Sequence, residues 1–379
     1  MDRIRICHVV NIISGKSDGV YTHLKMLFRF VDGNEFCHYL VFQGDPAIED
    51  EVRALGVTVF SLPSLKNKFS LHAFFDLYRI FKENEISIIH AHLIKPYVLV
   101  GIVNIFLRKK AIFNYHGNFI DVPVYYNQIE RVTYRLLHSV IYIFKCYDRV
   151  VVPSEASKRI LLAESSLFPR VDVYYNGAIT SEMSPQKDTG ETVESSSGEK
   201  KYTIGVIGRL EPQKRIDIAL EIARKLLMSR SDVRFIFAGN GSLEKEVMSL
   251  VDSLRLNDSI SILGYLPHVK SIMKTFDLVL FSSDWEGMPL AMWEAMSAGV
   301  PVVSSDVGGV REILEGEKCG KVYDRRNVNE AVTVLDSLLN DTSLRESMAF
   351  NARSAIESKY NEREFRARFE SIYRSVMNS

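Results

Sequence analysis

Two glutamates and two basic residues in the second half of the chain have the types and spacing that could bind an anionic ligand that carries hydroxyl groups. Glu286 and Glu294 are eight positions apart, and Arg209 and Lys214 are five positions apart. Carboxylates accept hydrogen bonds from sugar hydroxyls, and paired cations stabilise the negative charge that a leaving diphosphate gains. Either pair could instead be an ordinary set of solvated side chains. Their chemistry therefore depends on the elements that position them.

The loop that contains Glu286 connects a predicted strand to a predicted helix. The strand ends near Phe281, and Pro289 suits the first turn of the helix that follows. The unpaired N–H groups and positive dipole of a helix start form a site for phosphate oxygens. Gly287 allows a ligand to approach the main chain closely. The sequence therefore predicts a phosphate site just after Glu286.

Short β-branched runs alternate with segments of helical period through both halves of the chain. This pattern predicts an α/β protein with parallel strands and crossover helices. Because 379 residues exceed one ordinary core, we expect two doubly wound domains. We place them at 1–180 and 201–357, with a polar connector at 181–200 and an amphipathic helix at 358–379. The predicted strands are Ile4–Val10, Tyr39–Phe42, Thr58–Phe60, Ile86–His90, Ala111–Tyr115, Arg149–Val152, Val171–Tyr174, Tyr202–Ile207, Arg234–Ala238, Ile260–Leu263, Leu278–Phe281 and Val300–Ser304.

Composition and charge argue against several functions and locations. Lys+Arg and Asp+Glu both number 47, so a general affinity for nucleic acid is not expected. The four cysteines form no Cys-x-x-Cys pair, which indicates a reduced, cytoplasmic compartment. The longest apolar run, Tyr97–Leu107, is too short to span a bilayer. Arg108, Lys109 and Lys110 beside it are compatible with peripheral contact at the inner face of a membrane, or with simple solvation.

The sequence lacks the patterns of several other ligand-binding classes. Residues 14–17 resemble the end of a phosphate-binding P-loop, but Val10 stands where that motif requires glycine. The dinucleotide fingerprint Gly-x-Gly-x-x-Gly follows no predicted strand. No Asp-x-Asp pair is present to hold a divalent ion, and His90 and His92 have no accompanying ligand cluster in the sequence. We therefore expect neither a metal nor another cofactor.

The stretch that begins at Glu286 resembles the retaining glycosyltransferases of family 4. It reads Glu-x7-Glu, then Ala-Met-Ser-Ala-Gly-x-Pro-Val-Val and Asp-x-Gly-Gly. In that family the first glutamate contacts the donor sugar, the second contacts the ribose hydroxyls, and main-chain amides between them hold the diphosphate. The resemblance assigns these roles to Glu286, Glu294 and the amides of Met288 and Leu290, with Gly287 beside them. Pro289 stands where many members have glycine, and it provides no N–H.

Further segments resemble the same family. Gly208–Lys214 matches its Gly-Arg-x4-Lys motif, whose two cations bind the diphosphate, and His116-Gly117 resembles its histidine near the donor sugar. The resemblance thus implies a catalytic set of Glu286, His116, Arg209 and Lys214. It also implies donor contacts at Gly19, Gly239, Asn240, Gly264, Tyr265 and Leu266.

Extended over nearly the whole chain, the resemblance implies the GT-B fold. In that fold two Rossmann-like domains face each other across a cleft, the second domain holds the donor, and the last helix returns to the first. The implied reaction is metal-independent transfer, with retention, from a nucleotide diphosphate sugar to a saccharide or lipid-linked acceptor in polysaccharide or glycoconjugate biosynthesis. UDP is the expected nucleotide. A nucleotide-sugar epimerase and a non-catalytic nucleotide-sugar-binding protein remain as alternatives.

Overall fold

The computed structural model describes residues 3–13, 15, 18–66, 70–117, 128–179, 202–266 and 269–379. They divide into two units, the first formed by Met1–Asn176 with Glu362–Ser379 and the second by Gly177–Asn361. The sequence placed the corresponding boundaries at 180 and 357. In the structure the first boundary lies before residue 180 and the second lies after residue 357. The Ala178 N–H donates to the Tyr360 carbonyl at 3.0 Å, and this bond pairs the two ends of the second unit. The expected connector, 181–200, lies outside the described residues.

The first unit contains a seven-stranded parallel sheet with crossover helices. Its strands are β1 (Ile4–Val9), β2 (Phe36–Phe42), β3 (Thr58–Ser61), β4 (Ile88–His92), β5 (Lys110–Asn114), β6 (Arg149–Val152) and β7 (Val171–Val173). Its helices up to this point are α1 (Gly19–Phe30), α2 (Pro46–Ala54), α3 (Leu71–Glu83), α4 (Ile94–Leu107), α5 (Gln128–Ile143) and α6 (Glu155–Glu164). The strand order is β3-β2-β1-β4-β5-β6-β7.

The second unit contains a six-stranded parallel sheet of order β10-β9-β8-β11-β12-β13. Its strands are β8 (Tyr202–Ile207), β9 (Val233–Ala238), β10 (Ile260–Gly264), β11 (Leu278–Phe281), β12 (Val302–Ser305) and β13 (Gly320–Tyr323). Its helices are α7 (Ile216–Ser229), α8 (Glu244–Ser253), α9 (Val269–Met273), α10 (Leu290–Ala298), α11 (Val310–Leu314), α12 (Val328–Asn340) and α13 (Thr342–Ser358). Strand β13 was not predicted, because it is a four-residue edge strand with glycine and an exposed lysine.

The last helix, α14 (Glu362–Met377), belongs to the first unit. Its apolar stripe of Phe365, Phe369, Ile372 and Tyr373 is buried, and the helix packs against α1 and β5. These residues have the spacing of one helical face, so their burial is the main contribution that stabilises the packing of the helix. Helix α14 thus covers one face of the first sheet.

The two faces of the first sheet differ in chemistry because side chains alternate along each strand. Cys7, Val9, Ile89, Ala91 and Phe113 belong to an apolar cluster on one face. The intervening residues of β1, β4 and β5 point to the other face and include His8, His90, His92 and Asn114. These polar residues are fully buried. The first sheet therefore has one hydrocarbon face and one face of imidazole and amide groups.

Both sheets reverse their strand order beside the first strand of the unit. In the first unit the reversal lies between β1 and β4, and in the second it lies between β8 and β11. In open α/β sheets, ligands bind at the carboxyl ends of the strands at such a switch point. A ligand site is therefore expected at the loops that follow these four strands.

Candidate active site

The loop after β8 and the loop after β11 are held together at the switch point of the second unit. The Ser282 hydroxyl donates to the Lys214 carbonyl at 2.8 Å. The Asp284 N–H donates to the Gln213 carbonyl at 2.9 Å, and the Gln213 side-chain amide donates to the Trp285 carbonyl at 2.7 Å. Main-chain groups that would otherwise be unpaired are satisfied between the loops, so the two loops form one structural block.

Within this block, Lys214 forms an ion pair with Glu286. The Ser283 hydroxyl donates to the same carboxylate oxygen at 2.9 Å. The two charged side chains are only 17% and 10% exposed, so each ion needs a partner that replaces water. Residues from the two separate motifs found in the sequence therefore meet at one point. Lys214 lies at the end of a single 3₁₀ turn, Pro212–Lys214, which aims it at this point.

Arg209, the other predicted cation, follows β8 by two residues and is half-buried. It forms no ion pair with a residue that the structure describes. Two hydrogen bonds from Ser242 lower the pKa of the nearby Glu211, and the charge of Arg209 lowers it further. The guanidinium thus lies at the same strand end as Lys214, but no direct contact joins the two cations. An anion bound at this strand end could contact both cations.

The amide-rich turn after Glu286 packs closely against Gly308, in the loop that follows β12. Gly308 has φ +53°, and a Cβ there would lie 2.2 Å from the Glu286 carbonyl and 2.6 Å from the Gly287 carbonyl. The Gly309 N–H donates to the Gly287 carbonyl at 3.2 Å. The turn leads into α10, with Pro289 at the N-cap position. The amides of Met288 and Leu290 are therefore at a helix start, where N–H groups lack partners in the preceding turn.

Glu294 lies in the second turn of α10 and is half-buried. One helical turn and a loop separate it from Glu286. Its environment includes at least one further interaction, so the carboxylate is not isolated.

Three more predicted donor contacts lie along the same edge of the second sheet. The Leu210 N–H donates to the Asn240 carbonyl at 2.9 Å, and the Gly239 N–H donates to the Gly264 carbonyl at 2.7 Å. A Cβ at Gly239 would lie 1.9 Å from the Gly208 carbonyl oxygen, so only glycine fits. The loops after β8, β9 and β10 are thus in direct contact. Beyond Gly264, Tyr265 is 48% exposed and Leu266 is half-buried.

The remaining predicted residues, Gly19 and His116, belong to the first unit. Gly19 is the first residue of α1, and the Asp18 carboxylate accepts a hydrogen bond from the Val20 N–H at 2.8 Å. A negative charge therefore already caps this helix start, which disfavours a phosphate beside Gly19. His116 follows β5 by two residues, and its Nε2 lies 3.0 Å from the Nδ1 of His92.

Comparison with known families decides the class of protein. Residues 190–355 match Glycosyl transferases group 1, and residues 18–182 match Glycosyltransferase Family 4. The chain belongs to the family 4 glycosyltransferases. The two matches cover both units, and the resemblance found in the sequence is confirmed.

Curated relatives of this glycosyltransferase are themselves glycosyltransferases. UDP-Gal:alpha-D-GlcNAc-diphosphoundecaprenol alpha-1,3-galactosyltransferase of Escherichia coli is 25% identical over 326 residues, which are 83% of this chain and 81% of that protein. The GPI3 subunit of phosphatidylinositol N-acetylglucosaminyltransferase of Saccharomyces cerevisiae is 31% identical over 207 residues, 52% of this chain and 45% of that protein.

A solved structure with a similar fold is HepE of Anabaena in complex with UDP and glucose. It has a TM-score of 0.79 and 18% sequence identity, and the similarity covers 98% of this chain and 100% of HepE. The expected GT-B fold, with two Rossmann-like domains, is confirmed for this glycosyltransferase.

One expectation about the glycosyltransferase is wrong. His90 and His92 do have an accompanying cluster, because the pairing of β1 with β4 puts His8 beside His90. One ring nitrogen from each of these three lies within 4.8 Å of the others, and a second such group is formed by His23, His92 and His116. No common motif joins these histidines in the sequence, although each lies in or just after a strand near its carboxyl edge, or on α1. The expectation of no bound metal stays a prediction.

Proposed function

We propose that this glycosyltransferase transfers a sugar from a uridine diphosphate sugar to a saccharide or lipid-linked acceptor, with retention at the anomeric carbon. The observation that supports this most is the contact between Lys214 and Glu286 at the second switch point. It joins a cation suited to a diphosphate with a carboxylate suited to a sugar hydroxyl. The Escherichia coli relative is named for UDP-Gal and a diphosphoundecaprenol-linked acceptor, and HepE was solved with UDP.

In this proposal the ion pair is the resting state of the site. A diphosphate that reaches Lys214 replaces Glu286 as its partner, and the freed carboxylate accepts a hydrogen bond from the donor sugar. Arg209, at the same strand end, binds the same diphosphate. Both cations stabilise the charge that develops as the glycosidic bond breaks, which lowers the barrier more than it tightens ground-state binding.

Main-chain groups complete the proposed donor site. The amides of Met288 and Leu290 at the start of α10 donate to phosphate oxygens, aided by the helix dipole. Glu294, farther along the helix, accepts from the ribose hydroxyls. An oxygen of the leaving diphosphate takes the proton of the acceptor hydroxyl on the same face of the sugar, and this front-face route retains the configuration.

We propose that the reaction needs no divalent ion. Among the described residues, the groups with metal-ligand geometry are histidines of the first unit, and none is in the second. Lys214 and Arg209 together provide positive charge where other transferases use a metal. Transfer that continues in excess EDTA is the expected result, and loss of transfer that Mg²⁺ or Mn²⁺ restores would contradict it.

The test of the function is a donor panel. The protein is incubated with UDP-, GDP- and ADP-sugars, with and without simple saccharide and polyprenyl-diphosphate-linked acceptors, and products are identified by mass spectrometry and NMR. The proposal expects a glycoside whose anomeric configuration is that of the donor. An inverted product rejects retention. Conversion of a UDP-sugar to its epimer without acceptor indicates an epimerase, and nucleotide binding without turnover of any donor indicates a binding protein.

We further propose that helix α5 contacts an anionic membrane surface. Five apolar residues at spacings of three and four form one exposed stripe, with exposures from 38% to 78%: Ile129, Val132, Leu136, Val140 and Ile143. A solvent-facing apolar stripe of this kind is typical of helices that lie in a lipid interface. No described helix is long and apolar enough to cross a bilayer.

The charges around α5 fit anionic lipid. Arg135 is exposed on the helix, and Lys145 is exposed just beyond its end. Arg108, after α4, donates to the Phe144 carbonyl at 2.8 Å, which brings a further cation to the same end. Each cation near an anionic surface contributes about 1 kcal/mol. Four free thiols, Cys7, Cys37, Cys146 and Cys319, support the cytoplasmic side of the membrane.

Vesicle sedimentation tests the membrane contact. Wild type should bind vesicles of phosphatidylglycerol and phosphatidylcholine and should bind pure phosphatidylcholine weakly. Leu136→Glu should lose most of this binding, whereas Met228→Glu, a matched change at a 77% exposed apolar residue of α7, should not. Equal binding by the two variants rejects the assignment to α5. A dimer in solution that Leu136→Glu dissociates would instead identify the stripe as a contact between copies of the chain.

A further inference from the structure

Four imidazoles in the first unit form a continuous hydrogen-bonded chain that ends at His116. The His38 Nδ1 lies 3.1 Å from the His8 Nε2, and the His8 Nδ1 lies 3.1 Å from the His92 Nε2. The His92 Nδ1 lies 3.0 Å from the His116 Nε2. The four residues come from β2, β1, β4 and the loop after β5, which are neighbours in the sheet. Each ring thus contacts the next in strand order.

Burial keeps these rings neutral. It lowers the pKa of His38 to about 4 and lowers the pKa values of His8, His92 and His116 well below 6.5, with neighbouring histidines adding to the effect on the last three. A neutral imidazole has one N–H and one lone pair. A chain of such rings has two proton arrangements, in which every N–H points toward His116 or every N–H points away from it.

The far end of the chain selects between the two arrangements. The Nε2 of His38 is buried and has no hydrogen-bond partner among the residues that the structure describes. If the N–H groups pointed away from His116, this nitrogen would be a buried donor without an acceptor. If they point toward His116, it is a bare lone pair, which costs less to leave unpaired than an N–H does. The second arrangement leaves the proton of His116 on Nδ1.

We propose that His92, with His8 and His38 behind it, is a positioning residue that holds His116 in the tautomer with its proton on Nδ1. That N–H is then available to donate to a hydroxyl oxygen of a bound sugar. The role at the sugar rests on the proposed function, whereas the tautomer is a property of the protein alone. The two ring nitrogens of an imidazole point in different directions, so the chain occupies Nε2 and leaves Nδ1 for a ligand.

The other titratable ring beside His116 does not compete for this bond. The Tyr174 hydroxyl donates to Asn114 Oδ1 at 3.0 Å, so the Asn114 amide N–H donates to His23 Nε2 at 2.9 Å. His23 Nδ1 therefore donates to Asn176 Oδ1 at 3.0 Å. Both nitrogens of His23 are thus committed, and its ring meets His116 edge to face at 5.2 Å.

His90 provides a matched control for His92. The two rings are on the same strand and the same face, are fully buried, and stack with centroids 4.4 Å apart. The Nδ1 of His90 contacts the Tyr373 hydroxyl at 3.1 Å, and His90 has no bond within the four-ring chain. Replacement of either ring by phenylalanine removes a buried imidazole, but only His92→Phe breaks the chain.

The experiment is ¹⁵N NMR of histidine-labelled protein, with the His116 signals identified by their loss in His116→Gln. Wild type and His90→Phe should show His116 protonated on Nδ1 and bare on Nε2. His92→Phe should show a mixture of tautomers, and His92→Gln, whose amide can donate to His116 Nε2, should restore the Nδ1 form. Melting temperatures of all variants are measured in parallel, so loss of folding is recognised directly.

Kinetics separate the positioning role from simple packing. His92→Phe should lower kcat/KM for the donor about tenfold, the lower end of the loss seen when the outer hydrogen-bond partner of a metal-binding histidine is removed. Its affinity for UDP, which lacks the sugar, should stay at the wild-type value, and His90→Phe should keep wild-type kcat/KM.

Three results would overturn the inference. The first is wild-type His116 with a bare Nδ1, and the second is an equal kinetic loss in His92→Phe and His90→Phe. The third is a stoichiometric metal, measured on the purified protein, that the His8, His90 and His92 group binds. If no donor is turned over by wild type, the proposed function fails while the NMR result still decides the tautomer.

Discussion

Both sheets reverse their strand order beside their first strand, and at both points polar groups come together, but their chemistry differs. At β8 and β11 the groups are ions: Lys214 pairs with Glu286, and Arg209 lies at the same strand end. At β1 and β4 they are neutral imidazoles under α1 and α14. Eight of the nine histidines precede residue 177. Ions need a partner or water, whereas neutral rings tolerate full burial. The switch point of the second sheet therefore brings ions together, and that of the first sheet brings neutral rings together.

The largest expected effect is on activity, from a change in the charged region. Lys214→Ala should lower kcat by about 10²- to 10³-fold, because it removes a fixed charge that acts on the leaving group. Lys225→Ala, at a lysine of α7 that pairs with Glu221 away from the switch point, should leave kcat unchanged. Steady-state kinetics with the active donor measure both. A wild-type kcat in Lys214→Ala would show that the charged region takes no part in the chemical step.

The next effect is on stability in acid, and it should fall on the first unit. The pKa values of His23 and His38 are lowered to about 4, mainly by burial, whereas an unfolded histidine has a pKa of about 6.5. Between these values the unfolded state binds more protons, so stability falls as pH falls from 6.5 to 4. The slope is up to about 1.4 kcal/mol per pH unit for each such histidine.

Hydrogen exchange at pH 7.5, 6 and 5 can compare the two units in one sample. Amides of β1, β4 and β5 should lose protection at higher pH than amides of β8, β9 and β11. His38→Phe should reduce the difference, provided that it folds at pH 7.5. Equal loss of protection in the two units as pH falls would contradict the difference drawn between the buried imidazoles of the first unit and the ions of the second.

A smaller effect should follow from a glycine that shapes the charged region. Gly308→Ala would place a methyl group 2.2 Å from the Glu286 carbonyl at φ +53°, so it should lower stability by about 1–3 kcal/mol and weaken donor binding. Gly56→Ala, in the turn between α2 and β3, also has a positive φ, +80°, but no atom lies within 4 Å of the added carbon. It should cost about 1 kcal/mol and leave donor binding unchanged. Thermal unfolding and calorimetry distinguish the two, and equal effects would mean that strain alone matters.

The charged region could be predicted from the sequence because its residues are local. Gly208–Lys214 and Glu286–Glu294 are short segments with recognisable motifs, and each follows a buried, mainly apolar strand. What the sequence did not show was the bonding between them, since the contacts from Ser282, Asp284 and Gln213 depend on β8 and β11 being neighbours. Strand order is a property of tertiary packing.

The imidazole chain was not predicted for the same reason. An error of two residues in the bounds of one predicted strand also contributed. The predicted strand Ile86–His90 ends at the first of its two histidines, whereas β4 runs from Ile88 to His92. The longer carboxyl end puts both rings on one face, beside His8 of β1. His8, His38, His92 and His116 are far apart in the chain and have no common motif. Only the pairing of four strands brings them together.

The most direct test of the central claim is calorimetry with nucleoside diphosphates. UDP, GDP and ADP are titrated into wild type, and the one that binds most tightly is compared with its monophosphate and with Lys214→Ala. If the loops after β8 and β11 hold one diphosphate, the monophosphate should bind more weakly, and Lys214→Ala should lose at least about tenfold in affinity for the diphosphate. Equal affinity of wild type and Lys214→Ala for the diphosphate would contradict the account.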